Sequence, residues 1–192
     1  MAAVPVSAIL LAAGSSSRMG KLKQLMPLGE NTILERTLDN LLGSKATEVI
    51  MVLGYKAEEI RKRISGRPVK VVVNPFYRKG MGTSIAAGLK FVDSQARAVM
   101  LVLGDQPYID SPTINRLIDA SSGSQKGIVI PTYKGKRGHP LIFARKYDEP
   151  LSNLSGDIGG REIISEHPED ALEVPVDCEG IVLDIDTPLD SP

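Results

Sequence analysis

The sequence predicts an α/β protein whose mostly parallel sheet is layered between helices. Short apolar runs recur along the chain with amphipathic helical stretches between them. Two runs, "VIMVL" at 49–53 and "VMLVL" at 99–103, are apolar throughout, as central strands buried on both faces must be. At 192 residues the chain is long enough to bury such a sheet, and residues 1–192 are expected to form a single domain.

The elements follow in order. A first strand is expected at Val6–Leu11, then a helix capped by Asn31 with Ile33, Leu34, Leu38, Leu41 and Leu42 on one stripe and Gly43 at its end. A strand at Glu48–Leu53 leads to the helix "KAEEIRKRIS", which turns Ala57, Ile60 and Ile64 inward. After a strand at Val69–Val73, the segment "NPFYRKGMGTSIAAGL" combines a turn at Asn74-Pro75 and a bend at Gly80-Met81-Gly82 with a helix from Thr83 or Ser84. Its Ile85 and Leu89, with Val92, belong to the core. The strand Ala98–Leu103 precedes a helix capped by Ser111 with Pro112 in its first turn, and a strand at Gly127–Pro131 comes next. Beyond it the alternation breaks into a Gly/Lys turn, a short strand near Leu141–Phe143, a Gly-rich loop at Ser155–Arg161 and two late strand candidates. One of these, "IVLDIDTP", puts Ile181, Leu183 and Ile185 on one face and Asp184 and Asp186 on the other with Val182.

The 23 basic and 23 acidic side chains cancel, so no summed positive field draws in a nucleic acid, and any anion site must be local. The lone Cys178 excludes an intramolecular disulfide framework. With no long apolar span and no signal-like leader, the expected setting is a reducing cytoplasm with no membrane partner.

The local anion site is foreshadowed by "LLAAGSSSRMGKLKQL" at 10–25. It is not a Walker loop, because Gly14 and Gly20 enclose five residues and Lys21 is followed by Leu22. It is not a GxGxxG dinucleotide turn either. What remains is a strand end with small residues Ala12-Ala13-Gly14, loop amides from Ser15 to Ser17, and the charges of Arg18 and Lys23. Together they suit a triphosphate, although the same composition describes a solvated basic loop.

"LAAGSSSRMGKLKQL" also resembles the signature LAAGxSxRMGxxKxL of the MobA-like nucleotidyltransferases, most closely their molybdenum cofactor cytidylyltransferase branch. Further matches follow in family order: the 74–89 segment, "LVLGDQP" at 101–107, "GKRGHPLIF" at 135–143, "GDIGGR" at 156–161 and "DIDTPLD" at 184–190. The resemblance implies a Rossmann-like three-layer α/β/α sandwich of the nucleotide-diphospho-sugar transferase type. It also implies transfer of CMP from CTP to the terminal phosphate of molybdopterin, with Mg²⁺ and release of pyrophosphate.

On this resemblance Leu11, Ala12, Ala13, Gly14, Ser15, Arg18, Lys23, Asn74, Gly80, Ser84 and Gly104 bind nucleotide, and Arg18, Lys23 and Asp105 act in catalysis. Asp105, just past an apolar strand, and Asp186 hold the metal. Asp184 is the alternative second ligand, and two acidic residues at a solvated strand end are an equally simple reading of that motif. Gln106, Pro107, His139, Asp157 and Arg161 are assigned to the acceptor, with Lys136 or Arg137 near His139 and Asp157 a candidate to orient Arg161.

"LAAG" accompanies CTP in the family and "LAGG" GTP, a difference that falls at Ala13. The guanylyl branch, a sugar- or polyol-phosphate nucleotidyltransferase and a non-catalytic cofactor carrier are the alternatives. A molybdenum hydroxylase or its maturation factor is the implied recipient of the product.

Overall fold

The computed structural model describes residues 4–14, 22–157 and 159–185. Ser15, Arg18 and Asp186 lie outside the described residues.

In chain order the elements are β1 (Val6–Ala12), β2 (Pro27–Leu28), β3 (Asn31–Thr32), α1 (Ile33–Leu42), β4 (Glu48–Leu53), α2 (Ala57–Arg63), β5 (Lys70–Val73) and α3 (Met81–Leu89). They continue with β6 (Ala98–Leu103), α4 (Ser111–Gly123), β7 (Ile128–Tyr133), β8 (Lys136–Arg137), β9 (Leu141–Ala144), α5 (Asp148–Ser152), α6 (Arg161–Glu166) and β10 (Ala171–Pro175). The main sheet runs β10-β7-β9-β6-β1-β4-β5, with β8 paired to β7. Among the long strands of the described residues only β9 is antiparallel to its neighbours β6 and β7, while β1, β4, β5 and β6 are parallel, as are β7 and β10.

Because successive strand side chains point to opposite faces, the sheet buries two apolar layers. Leu10, Met51 and Met100 meet Leu34 and Leu38 of α1, Ile60 of α2 and Leu117 of α4. On the other face Ile9, Val52 and Leu101 meet Ile85 of α3, Leu151 of α5 and Ile163 of α6. This is a three-layer α/β/α sandwich. Each of these fully buried side chains contributes about 1.5–3 kcal/mol of hydrophobic stabilisation. No helix among the described residues is long and apolar enough to cross a membrane.

Four local expectations need correction. Thr32, not Asn31, caps α1: its hydroxyl accepts from Glu35 N while Glu35 returns a carboxylate to Thr32 N, a reciprocal capping box. Asp110 caps α4, and Ser111 instead donates its hydroxyl to Asn40 O at 2.7 Å. The helix α3 starts at Met81, two residues before the expected start.

Finally, "IVLDI" is no strand. Residues Glu179–Val182 form a 3₁₀ turn, Ile181 and Ile185 are buried and Leu183 is exposed. The segment is tied by single bonds, His139 N to Ile181 O and Ile185 N to Asp105 O, rather than by a ladder.

Candidate functional site

Strand β1 has β4 and β5 on one side and β6 on the other, so the strand order reverses between β1 and β6. Open α/β sheets bind ligands at the carboxyl ends of strands flanking such a reversal. A cavity of about 280 Å³ lies there, lined by Leu11, Ala13, Gly14, Lys23, Gln24, Tyr77, Gly80, Met81, Ser84, Leu103, Gly104, Asp105 and Asp157. The β1–β6 register sets Leu11 opposite Leu103, and Gly104 N donates to Leu11 O at 3.0 Å. Asp105 therefore emerges level with the Ala13-Gly14 turn.

At the centre, Lys23 Nζ stands 2.8 Å from Asp105 Oδ2, with the lysine side chain 10% and the aspartate 31% exposed. Lys23 begins a short 3₁₀ turn, Lys23–Leu25. Its neighbour Gln24 is buried and donates Nε2 to Gly14 O at 3.1 Å, fixing the lysine's backbone against the end of β1.

The opposite wall is the start of α3. Gly80 has φ +106°, and a Cβ there would collide with the Gly156 carbonyl, so this position needs glycine. Met81 N donates to Asp157 Oδ1 and Gly82 N to Gly156 O, each at 3.0 Å. The first amides of α3 are thus already engaged within the protein. Asn74 is buried behind the wall and donates Nδ2 to Thr83 Oγ1 and Ser84 Oγ at 2.9 and 3.0 Å. It positions Ser84, which lines the cavity, without lining it itself.

Gln106 and Pro107, expected at the acceptor, are buried and line neither this cavity nor the next. Gln106 Nε2 donates to Asp184 Oδ1 at 2.7 Å, and Pro107 O accepts from Asn40. Asp157 caps α3 and makes no ion pair with Arg161 among the described residues. Ala12 is a buried residue of β1 and does not line the cavity.

A second cavity of about 220 Å³ is lined by Ile130, Arg137, Gly138, His139, Leu141, Arg161 and Ile164. Arg137 is paired with Glu173. Burial lowers the His139 pKa to about 4, the Arg161 guanidinium pushes it the same way, and Asp105 opposes. His139 is thus a neutral imidazole at pH 7, with Nδ1 buried and lacking a hydrogen-bond partner among the described residues.

Among the described residues no group of three or more His, Cys, Asp and Glu side chains comes together to cage a metal. Mg²⁺ that shares its shell with phosphate oxygens and water needs only one or two carboxylates. Asp105 fits that mode, since it faces the cavity and its Oδ1 makes no hydrogen bond among the described residues. Ile185 N donates to Asp105 O at 3.2 Å, which brings Asp184 and Ile185 alongside.

Gln24 and Tyr77 were not anticipated. Gln24 had a signal, its place beside Lys23 in the opening motif. Tyr77 had only its place in the 74–89 match: it packs where Gly54 leaves no Cβ, a contact that only the fold creates.

Comparison with known proteins adds to this geometry. The family model described as the MobA-like NTP transferase domain matches residues 8–171. Nicotine blue oxidoreductase of Paenarthrobacter nicotinovorans is 32% identical over 195 residues, covering 95% of this chain and 92% of that protein. The molybdenum cofactor cytidylyltransferase of Escherichia coli strain K12 is 30% identical over 186 residues, covering 96% and 93%. The crystal structure of Rv0371c from Mycobacterium tuberculosis H37Rv superposes with a TM-score of 0.87 at 31% identity, covering 99% of this chain and 96% of that one. Its complex with manganese gives a TM-score of 0.78 at 28% identity, covering 91% and 89%.

Proposed function

The chain belongs to the MobA-like NTP transferase family, and on that premise we propose that it transfers CMP from CTP to the terminal phosphate of molybdopterin, releasing pyrophosphate. The observation that carries this reading is the Lys23–Asp105 pair in the cavity at the β1–β6 reversal. An ammonium for the polyphosphate and a hard carboxylate for its counter-cation stand together where an α/β sheet receives ligands.

The acceptor phosphate is a monoester with a second pKa near ~6, so at neutral pH it carries a free anionic oxygen and requires no protein base. That oxygen forms a bond to the α-phosphorus as the bond from the α-phosphorus to the α,β-bridging oxygen breaks, and the electron pair leaves with pyrophosphate. Lys23, with Arg18 as a second cation, neutralises charge growing on the leaving group. Asp105, joined by Asp186 or Asp184, would hold Mg²⁺, which supplies further charge neutralisation at the phosphate oxygens when bound. Ser84 and the Gly80 turn flank the nucleoside, while His139 and Arg161 in the second cavity receive the acceptor.

Ala13 lines the nucleotide cavity, and its methyl limits the room for a purine. One methyl discriminates by about 1–3 kcal/mol, or roughly 10–200-fold.

Pyrophosphate release from each of the four NTPs, with Mg²⁺ and molybdopterin, tests the reading. CTP is expected to exceed GTP. Preference for GTP would move the chain to the guanylyl branch, and the absence of pyrophosphate from every NTP would overturn the reading. The same assay separates it from the redox reading suggested by the similarity to nicotine blue oxidoreductase, because electron transfer releases no pyrophosphate.

A further inference from the structure

We propose that Lys23 is a placeholder cation on Asp105, released by the nucleotide, so that nucleotide and divalent metal bind cooperatively; this rests on the reading of the cavity as the nucleotide site. Lys23 Nζ contacts Asp105 Oδ2 at 2.8 Å, and its side chain is only 10% exposed. The ammonium is therefore withdrawn from solvent onto the one carboxylate of the β6 terminus that faces the cavity. A metal ion at Asp105 and the ammonium at Oδ2 are like charges competing for one carboxylate.

The lysine is built to move without its backbone. Gln24 pins the adjacent turn to Gly14 O, whereas the lysine carries a flexible four-carbon stem with three rotatable donors. A polyphosphate in the cavity offers several anionic oxygens in competition with the Asp105 carboxylate, and it draws the ammonium away. Asp105 is then free for the cation. By linkage, metal at Asp105 strengthens nucleotide binding by the same factor.

The experiment is a titration with Mn²⁺, followed by electron paramagnetic resonance of free Mn²⁺, with and without a non-hydrolysable CTP analogue, each read against a protein-free control that subtracts chelation by the analogue itself. In the wild type the analogue should tighten Mn²⁺ binding, within the roughly 5–150-fold range usual for coupled sites. Lys23→Met should bind Mn²⁺ more tightly without nucleotide and gain less from the analogue. Lys23→Arg, which keeps a cation on the carboxylate, should restore weak binding by the unloaded protein. Lys23→Gln should behave like Lys23→Met and serves if the latter fails to fold.

The placeholder role is overturned if the analogue tightens Mn²⁺ by the same factor with and without the lysine, or if the neutral variants bind Mn²⁺ no better than the wild type. Failure of the underlying nucleotidyl-transfer reading would appear separately, as absence of pyrophosphate from the wild type.

Discussion

The side-chain amide of Gln106 donates to Asp184 Oδ1 at 2.7 Å, and one residue further along Ile185 N donates to the carbonyl of Asp105 at 3.2 Å. Asp105 and Gln106, consecutive residues just past β6, thus hold Ile185 and Asp184. Gln106 is 2% exposed while Asp184 is exposed and can be rehydrated when the bond is lost. Gln106→Leu should therefore cost only about 0.5–1.5 kcal/mol of stability and weaken Mn²⁺ binding, read by denaturant unfolding and by Mn²⁺ titration. Unchanged Mn²⁺ affinity in a folded variant would deny Gln106 a positioning role.

Asp105 lies at the cavity rather than in the core, with its side chain 31% exposed. Asp105→Asn should therefore fold normally, while pyrophosphate release falls by roughly 10²–10³-fold, the usual effect of removing one electrostatic group from a site. Circular dichroism and a coupled pyrophosphate assay check the two halves. A rate like that of the wild type would remove the carboxylate from the chemistry.

His139 has a folded-state pKa lowered to about 4 from an ordinary value of 6.5, chiefly by burial. The unfolded chain binds the proton more readily between these values. The contribution of the neutral imidazole is therefore fully present above about pH 6.5 and is lost as the pH falls towards 4. Thermal melts from pH 7.5 to 4 should drop more steeply for the wild type than for His139→Gln. Parallel curves would show that this histidine titrates normally.

The Thr32–Glu35 capping box predicts that Thr32→Ala destabilises α1 by about 1 kcal/mol, whereas Asn31→Ala has a smaller effect. Denaturation midpoints of the two variants compare the caps directly, and a larger loss at Asn31 would contradict the assignment.

The parts of the fold legible from the sequence were those set by local pattern. The runs 49–53 and 99–103 became β4 and β6, buried on both faces, because continuous apolarity has few other uses in a short segment. The stripe through Ile33, Leu34, Leu38 and Leu41 became the buried face of α1.

Caps were misplaced by one residue where two competent residues adjoin, Asn31 beside Thr32 and Asp110 beside Ser111. In the first case the spacing of Thr32 and Glu35 was itself a readable signal. Thr83 and Ser84 read as the start of α3 because the helix's true entry, at Gly80, is stabilised by Gly156 and Asp157, more than 70 residues away. Alternation at 181–185 imitated a strand, yet its two buried isoleucines are held by separate partners.

For the site, Lys23 and Asp105 were visible as chemistry but not as a pair. Their contact spans a sequence separation of 82 and exists only because β1 and β6 are neighbours in the sheet.

Occupation of the cavity between the end of β1 and Asp105 by a nucleoside triphosphate is tested most directly by a crystal structure with a non-hydrolysable CTP analogue and Mn²⁺. The triphosphate is expected in contact with Lys23 Nζ, with Mn²⁺ bound to the Asp105 carboxylate and the 2.8 Å ion pair broken. An analogue bound elsewhere, with Lys23 still on Asp105, would contradict it.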